Sequence, residues 1–443
     1  MASAAEQLAA NMNMGSFAKA TELHKRLLFT ILALLVYRIG TYVPIPGINS
    51  EAFLQFFQNP DGQRGILDMF NMFSGGAVER MAVFALNVMP YISASIIVQL
   101  MGAVYPPWEK LKKEGGESGR KQLNQYTRYL TVVLALFQSA GIAIGLNAQP
   151  GLIDQPGLFF IISTVTVLTG GTMFLMWLGE QVTARGVGNG ISLIIFAGIV
   201  AVLPGTIARM FGLAQQGQIS AFTLLFFAAM AIAVVVFIVF MERAQRRLLI
   251  QYPKRQEGNR MAGGERSFLP LKVNTAGVIP PIFASSLLML PTTVAQMTAN
   301  ADLPAWMDWL PLVTAEMQHG RPIFMLLYGA LIVFFCFFYT SITFNPEDTA
   351  ENLRKVLTRL TVIGAAYITA VCLLPEMLMA NSGMGPAVIG GTSILIVVSV
   401  TMDTVAQIQS QLLAHQYEGL IKKAKLRGRG RTPGKGVTAP ARR

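Results

Sequence analysis

The stretch "GILDMFNMFSGGAVERMAVFALNVMPYISASIIVQLM", Gly65 to Met101, decides how the chain is read. An apolar patch, Ile66 to Phe73, breaks at Gly75-Gly76 before a second, longer apolar run begins. A helix that crosses a bilayer needs roughly 20 residues at about 1.5 Å of rise each, and the patch is far shorter than that. Non-spanning backbone at membrane depth survives only when it is packed in protein or lines a watery cavity. The patch therefore reads as a re-entrant half-helix sheltered by neighbouring spans.

Working outward, the 443 residues are 53% hydrophobic and only 13% charged, with a mean hydropathy of +0.50. That composition belongs to an integral membrane protein. Long apolar runs bounded by charge or turn residues give ten spans, at 27-44, 81-103, 128-147, 158-179, 190-205, 220-241, 274-297, 323-344, 360-380 and 392-413. With the N-terminus in the cytoplasm, all of the 35 Lys and Arg fall on cytoplasmic segments except Arg38, Arg64, Arg80, Arg209 and Arg321. This partition sets both termini in the cytoplasm by the positive-inside rule and puts the Ile66 to Phe73 patch on the opposite side. The polar stretch Met1 to Arg26 has no signal-peptide core, so the first span is expected to be retained. Cys336 and Cys372 both lie in apolar runs and read as small hydrophobes.

Two proline-bearing segments resemble each other. "VMPYISAS", Val88 to Ser95, and "VIPPIFAS", Val278 to Ser285, agree at five of eight positions. They fall in spans two and seven, an odd number of spans apart, so the second half enters the membrane in the opposite sense. Inverted repeats of this kind place a passage at the interface between halves.

Ion-coupling chemistry is sparse. His24 and His319 lie in polar loops, His415 at the end of span ten, and Glu180 and Glu376 at span ends. Asp403 is the exception inside a span, where a lone charge costs about 2.5 to 3.5 kcal/mol. Gln407, Gln409 and Gln411 follow it, so a role at the cytoplasmic end of the helix is expected. "RTPGKG", Arg431 to Gly436, lacks the spacing of a phosphate loop, and "RGVGNG", Arg185 to Gly190, reads as a tight cytoplasmic turn. No catalytic or metal-binding spacing occurs, and no cofactor is implied. On these features alone two other classes stay open: a small-solute carrier coupled through Asp403, and a scaffold whose basic segments, Glu242 to Lys272 and the C-terminal tail, bind RNA or ribosomes.

Longer stretches narrow the choice. "RIGTYVPIPGI" (38-48), "MFNMFSGGA" (69-77), "MPYISASII" (89-97), "KKEGGESGRKQLNQYTRY" (112-129), "GTMFLMWLGEQ" (171-181), "RGVGNGISLIIFAGIVA" (185-201), "LPLKVNTAGVIPPIFASS" (269-286), "FFCFFYT" (334-340) and "GGTSILIVV" (390-398) run through nearly the whole chain. Together they resemble the SecY family, the channel-forming subunit of the bacterial Sec protein translocase.

The resemblance implies an all-α polytopic membrane protein: ten transmembrane helices in two inverted five-helix halves with a re-entrant plug helix. The corresponding divisions are a cytoplasmic segment 1-26, an N-terminal half 27-205 with its plug at about 65-76, a C-terminal half 206-413 with a basic loop 242-273, and a basic tail 414-443. By family motif the pore ring would be Val88, Ile92, Ile191, Ile195, Ile282 and Ile396. Aliphatic side chains suit that task because they yield around any passing chain and exclude water when closed. The plug would comprise Leu67, Phe70, Asn71, Phe73, Gly75 and Gly76, with Asn71 facing the watery funnel, Phe73 facing helices, and the glycines forming a flexible joint. Gln99 and Asn274 match the family's lateral-gate positions, while Arg247, Lys254 and Arg255 match its site for docking a motor or ribosome.

Implied partners are the SecE and SecG subunits, the SecA motor ATPase, the ribosome, signal peptides and nascent chains, and membrane lipid, with SecD/SecF and YidC as accessories. The implied location is the bacterial plasma (inner) membrane, and the implied activity is that of a channel rather than an enzyme. One departure stands out. Lys355 runs straight into Val356, where the family has a further stretch with a Gly-x-Arg-Pro-Gly tip, so that loop's arginine has no counterpart here.

Overall fold

The structure is a computed structural model that describes residues 21–49, 52–53, 71, 73–147, 151–153, 155–217, 220–251, 255–257, 260–262, 266–298, 321–343, 351–381 and 390–428. Helix α1 is Thr21–Gly40, α2 Met89–Val104, α3 Pro106–Lys113, α4 Gly116–Asn147, α5 Leu158–Arg185 and α6 Gly190–Gln215. The chain continues with α7 Ala221–Arg243, strands β1 Gln245–Gln251, β2 Arg255–Glu257, β3 Arg260–Ala262 and β4 Arg266–Lys272, then α8 Ile279–Thr298, α9 Pro322–Thr343, α10 Glu351–Asn381 and α11 Gly391–Gly428. Helices α4, α5, α6, α7, α9, α10 and α11 are long and apolar enough to cross a membrane, and α2 with α3, bent by 100°, makes an eighth candidate. The two remaining expected spans coincide with α1 and α8.

Span two differs from its expected bounds. Residues 81 to 88 are apolar but form tight turns, and the helix begins only at Met89. Met81 and Asn87 hold positive φ angles of 40° and 50°, which no helix accommodates. Pro90 then sits in the first turn, where its missing N–H costs nothing and its fixed φ suits a helix. The turn is anchored laterally: Ile45 N–H donates to Met81 O at 2.9 Å and Val83 N–H to Val43 O at 2.9 Å.

Packing between elements follows the two halves. Within the first, α4 packs on α2 and α5, and α6 on α5 and α1; within the second, α9 packs on α8 and α10, and α11 on α7 and α10. The halves meet along two seams, α8 against α2 and α4 on one side and α6 against α7 and α11 on the other. One continuous hydrophobic cluster runs through both halves and both seams.

The basic segment between α7 and α8, read as a loop from its charges, folds as a hairpin. β1 and β4 pair antiparallel, with Leu248 opposite Leu269 and Arg247 opposite Pro270, and β2 pairs with β3. Leu248 and Leu271 pack at its base with Leu353, Val356, Leu357 and Leu360 of α10. Helix α10 is continuous across Lys355 and Val356.

Candidate functional site: an apolar constriction and the seat of the short helix

The six aliphatic side chains expected to form the ring all belong to, or pack against, the one hydrophobic cluster that runs through both halves. Val88, Ile92, Ile195 and Ile396 are buried members, and Ile191 and Ile282 pack against it partly exposed. They come from four helices or their lead-ins: α2, α6, α8 and α11. The helices that carry them meet along the two seams, so the cluster lines the interface between the halves.

Beside it lies the end of the short helix. Leu67 and Phe70 fall outside the described residues, whereas Asn71 and Phe73 are helical and Gly75 and Gly76 form the turn, with φ of 71° and 81°. Phe73 is 1% exposed and packs in the main cluster, as expected. Asn71 departs from its expected place in the watery funnel, being only 8% exposed. Its carboxamide closes a two-way clamp: Glu79 N–H donates to Asn71 Oδ1 at 3.0 Å, and Asn71 Nδ2 donates to Glu79 Oε2 at 3.3 Å. Folding the turn back satisfies a polar group that would otherwise be stranded.

The glycines are held rather than loose. Tyr37 Oη donates to Ser74 O at 3.1 Å, Arg38 Nη1 donates to Gly75 O at 2.7 Å, and Asn87 Nδ2 donates to Phe73 O. Three successive carbonyls are thus taken by three side chains. On the opposite side Gly198 of α6 allows close approach: a Cβ at Gly198 would lie 2.5 Å from Phe73 O and 2.9 Å from Tyr37 Oη. Tyr37 stacks on Phe84, which stacks in turn on Phe174 of α5.

None of Tyr37, Arg38, Glu79, Asn87, Gly198 or Arg209 was singled out from the sequence as a site residue. One signal was available. Arg38, Arg80 and Arg209 are three of the five arginines left over from the cytoplasmic count, and all three attach here. Arg209 pairs with Glu79 at 3.6 Å, while Arg38 and Arg80 flank the Tyr42 ring with guanidinium carbons 4.7 and 4.2 Å from its centroid.

Gln99 and Asn274 are not joined to each other. Gln99 Nε2 donates to Ser95 Oγ one turn back on its own helix, at 3.1 Å. Asn274, 4% exposed, stays within its own half. Its Nδ2 donates to Glu242 Oε1 at 2.6 Å and to Gly277 O at 3.2 Å, and its Oδ1 accepts from Gly277 N–H at 3.1 Å. Among the described residues, a weak polar contact crosses from α8 to α2, Ser286 Oγ to Met89 Sδ at 3.9 Å. Apolar packing therefore dominates that seam among the described residues.

The tight turn Gly186 to Asn189 clasps both halves. Val187 N–H donates to Thr30 Oγ1 of α1 at 3.1 Å, and Gly188 N–H to Gln407 Oε1 of α11 at 2.9 Å. Asn189 caps α6 through Ile191 N–H and Ser192 N–H. Asp403, one turn before Gln407 on α11, lies within electrostatic range of Glu242. Of the docking residues, Arg247 is exposed on β1 and Arg255 is in β2, while Lys254 lies outside the described residues.

Long apolar helices packed as two halves about a shared apolar cluster, with a short segment seated against it, define a polytopic membrane protein. Comparison with known proteins gives the family. The SecY family model matches residues 82–356 and 351–405, two pieces that overlap over 351–356, around the junction of Lys355 and Val356. The chain is 50% identical over 434 residues to protein translocase subunit SecY of Escherichia coli K12, spanning 93% of this chain and 96% of that one. It is 51% identical over 430 residues to the Pseudomonas aeruginosa subunit of the same name, with the same two coverages. Among solved structures it is similar to a protein-conducting channel, at a TM-score of 0.62 and 16% identity, covering 87% of this chain and 92% of that one. It is also similar to Sec61 in a canine ribosome–channel complex, at 0.61 and 16% with the same coverages. The chain belongs to the SecY family, and it is a protein-conducting channel subunit of the protein translocase.

Proposed function

We propose that the chain threads unfolded secretory proteins across the bacterial plasma membrane through the ring of Val88, Ile92, Ile191, Ile195, Ile282 and Ile396, and releases apolar helices sideways between α2 and α8. What supports this reading is that the chain belongs to the SecY family and that all six aliphatics, from both halves, belong to or pack against the apolar cluster shared by the helices of the two seams. The segment ending at Phe73 acts as the plug, sealing the ring at rest, and Gly75 and Gly76 form the turn from which it leaves. Gln99 and Asn274 belong to the gate helices and tune their separation through bonds within their own halves. Residues 27-205 and 206-413 act as the two halves of a clamshell, with both termini in the cytoplasm.

The chain performs no covalent chemistry, so the work comes from outside. SecE and SecG complete the complex; SecA or a ribosome docks on the hairpin through Arg247, Lys254 and Arg255; and SecD/SecF and YidC assist. The similar canine Sec61 channel is found in a complex with a ribosome, which supports the ribosome as one such partner. The reading is tested by reconstituting the chain with SecE and SecG in vesicles and adding SecA, ATP and a signal-bearing precursor. Protection of the precursor from external protease is expected. Failure to protect, both as the chain stands and with a Gly-x-Arg-Pro-Gly loop restored after Lys355, would overturn it.

A further inference from the structure

We propose that Asn87 is the positioning residue that ties the resting seat of the plug to the gate helix α2; the inference rests on the plug reading above. Three successive carbonyls, of Phe73, Ser74 and Gly75, are each held by a side chain, and two of the three donors, Tyr37 and Arg38, stand at the end of α1. Asn87 alone belongs to the lead-in of α2. Its bond to Phe73 spans 14 residues, so it does not serve the local turn as a left-handed asparagine ordinarily does.

The residue type fits the task. Asn87 is 1% exposed and holds a φ of 50°, a region that asparagine tolerates far better than most side chains. Among the described residues its Oδ1 has no hydrogen-bond partner, so the bond to Phe73 is what compensates burial of the carboxamide. Two residues on, Met89 contacts Ser286 of α8, and the residue between is Val88 of the ring. Asn87 thus sits where movement of α2 against α8 reaches it through two peptide units. A shift of about 1 Å carries a hydrogen bond out of range, so parting of α2 from α8 releases the Phe73 carbonyl while the attachments to α1 stay put. The seat is two-thirds fixed to α1 and one-third conditional on the gate.

The test is hydrogen exchange, read by mass spectrometry on the peptide covering residues 71 to 80 in the assembled complex, with and without a synthetic signal peptide. Asn87→Gly keeps the left-handed backbone and deletes the donor; Asn87→Asp keeps the shape and replaces the donor with an acceptor. Both should raise resting exchange of this peptide about fivefold, the loss of one ordinary hydrogen bond, while peptides from α4 and α5 stay as in the parent. In a second arm, Met89→Cys and Ser286→Cys, with Cys336→Ala and Cys372→Ala, are bridged by a short bifunctional thiol reagent. Bridging should abolish the response of the peptide to signal peptide when Asn87 is present and leave the raised exchange of Asn87→Gly untouched. Unchanged resting exchange in both Asn87 variants, or a full response in the bridged channel, overturns the proposal. Resting ion conductance after deletion of residues 66 to 73 reports separately on the plug reading, because it measures sealing and not the link.

Discussion

"VMPYISAS" and "VIPPIFAS" begin α2 and α8 in opposite senses, with nearly the same local sequence and quite different attachments. Before α2 the chain is folded into turns and tied, through Asn87, Tyr37, Arg38 and the Glu79–Arg209 pair, to the end of the short helix. Before α8 it makes one turn, in which Asn274 satisfies both of its carboxamide atoms on Gly277 and Glu242. An asparagine and a left-handed residue thus govern both approaches. In the first half the asparagine side chain has a single partner in a distant segment; in the second its partners form a closed local network next to the basic hairpin. The repeat duplicates a helix start, and the surroundings turn one copy into the seat of the short helix and the other into a fixed corner.

The sharpest way to break this contrast is to remove what the first copy holds. Deleting Ile66 to Phe73 should raise resting ion conductance of the reconstituted channel well above the parent while precursor translocation persists; unchanged conductance would remove the sealing role. Next comes Gly198→Val, which crowds Phe73 O and Tyr37 Oη and should cost about 1 to 3 kcal/mol by overpacking. Raised hydrogen exchange in residues 71 to 80, exceeding any change around Gly277, checks it. In the second copy, Asn274→Ala strips a donor from the Glu242 carboxylate and should lower stability by about 1.5 to 3 kcal/mol, read as a fall in Tm of the purified complex with the plug peptide unaffected. Gly277→Ala is gentler. A Cβ there meets nothing within 4 Å, so only the left-handed φ of 64° is penalised, by about 1 to 2 kcal/mol, and a Tm loss no larger than that of Asn274→Ala is expected. Smallest is Ser286→Ala, where a weak contact across the seam should be worth about 0.6 kcal/mol or less; a large loss of α2–α8 cross-linking would show that the seam relies on it after all.

Much of this was legible in the residues. Spans read from hydropathy coincide with helices because a bilayer demands long, uninterrupted apolar runs whose backbones bond internally, a requirement visible one segment at a time. The start of α2 was misplaced by that same logic: residues 81 to 88 are apolar enough for a span, and hydropathy carries no information on the left-handed angles of Met81 and Asn87. The hairpin escaped notice because its arginines obscured the short alternation that pairs Leu248 with Leu269. Asn71 was assigned to water because helical spacing alone cannot see Glu79 folding back to meet it.

By itself, then, the sequence determined that this is a polytopic membrane protein with inverted halves, basic segments between and after its spans and a segment too short to span, since each follows from composition and order along the chain. Only the tertiary structure decided that Arg38, Arg80 and Arg209 gather at one turn, that three side chains hold three successive carbonyls, and that Asn274 answers to Glu242 rather than to Gln99. Those contacts join residues far apart in sequence through single hydrogen bonds and close approaches. Their partners are set by how helices pack, which no local pattern records.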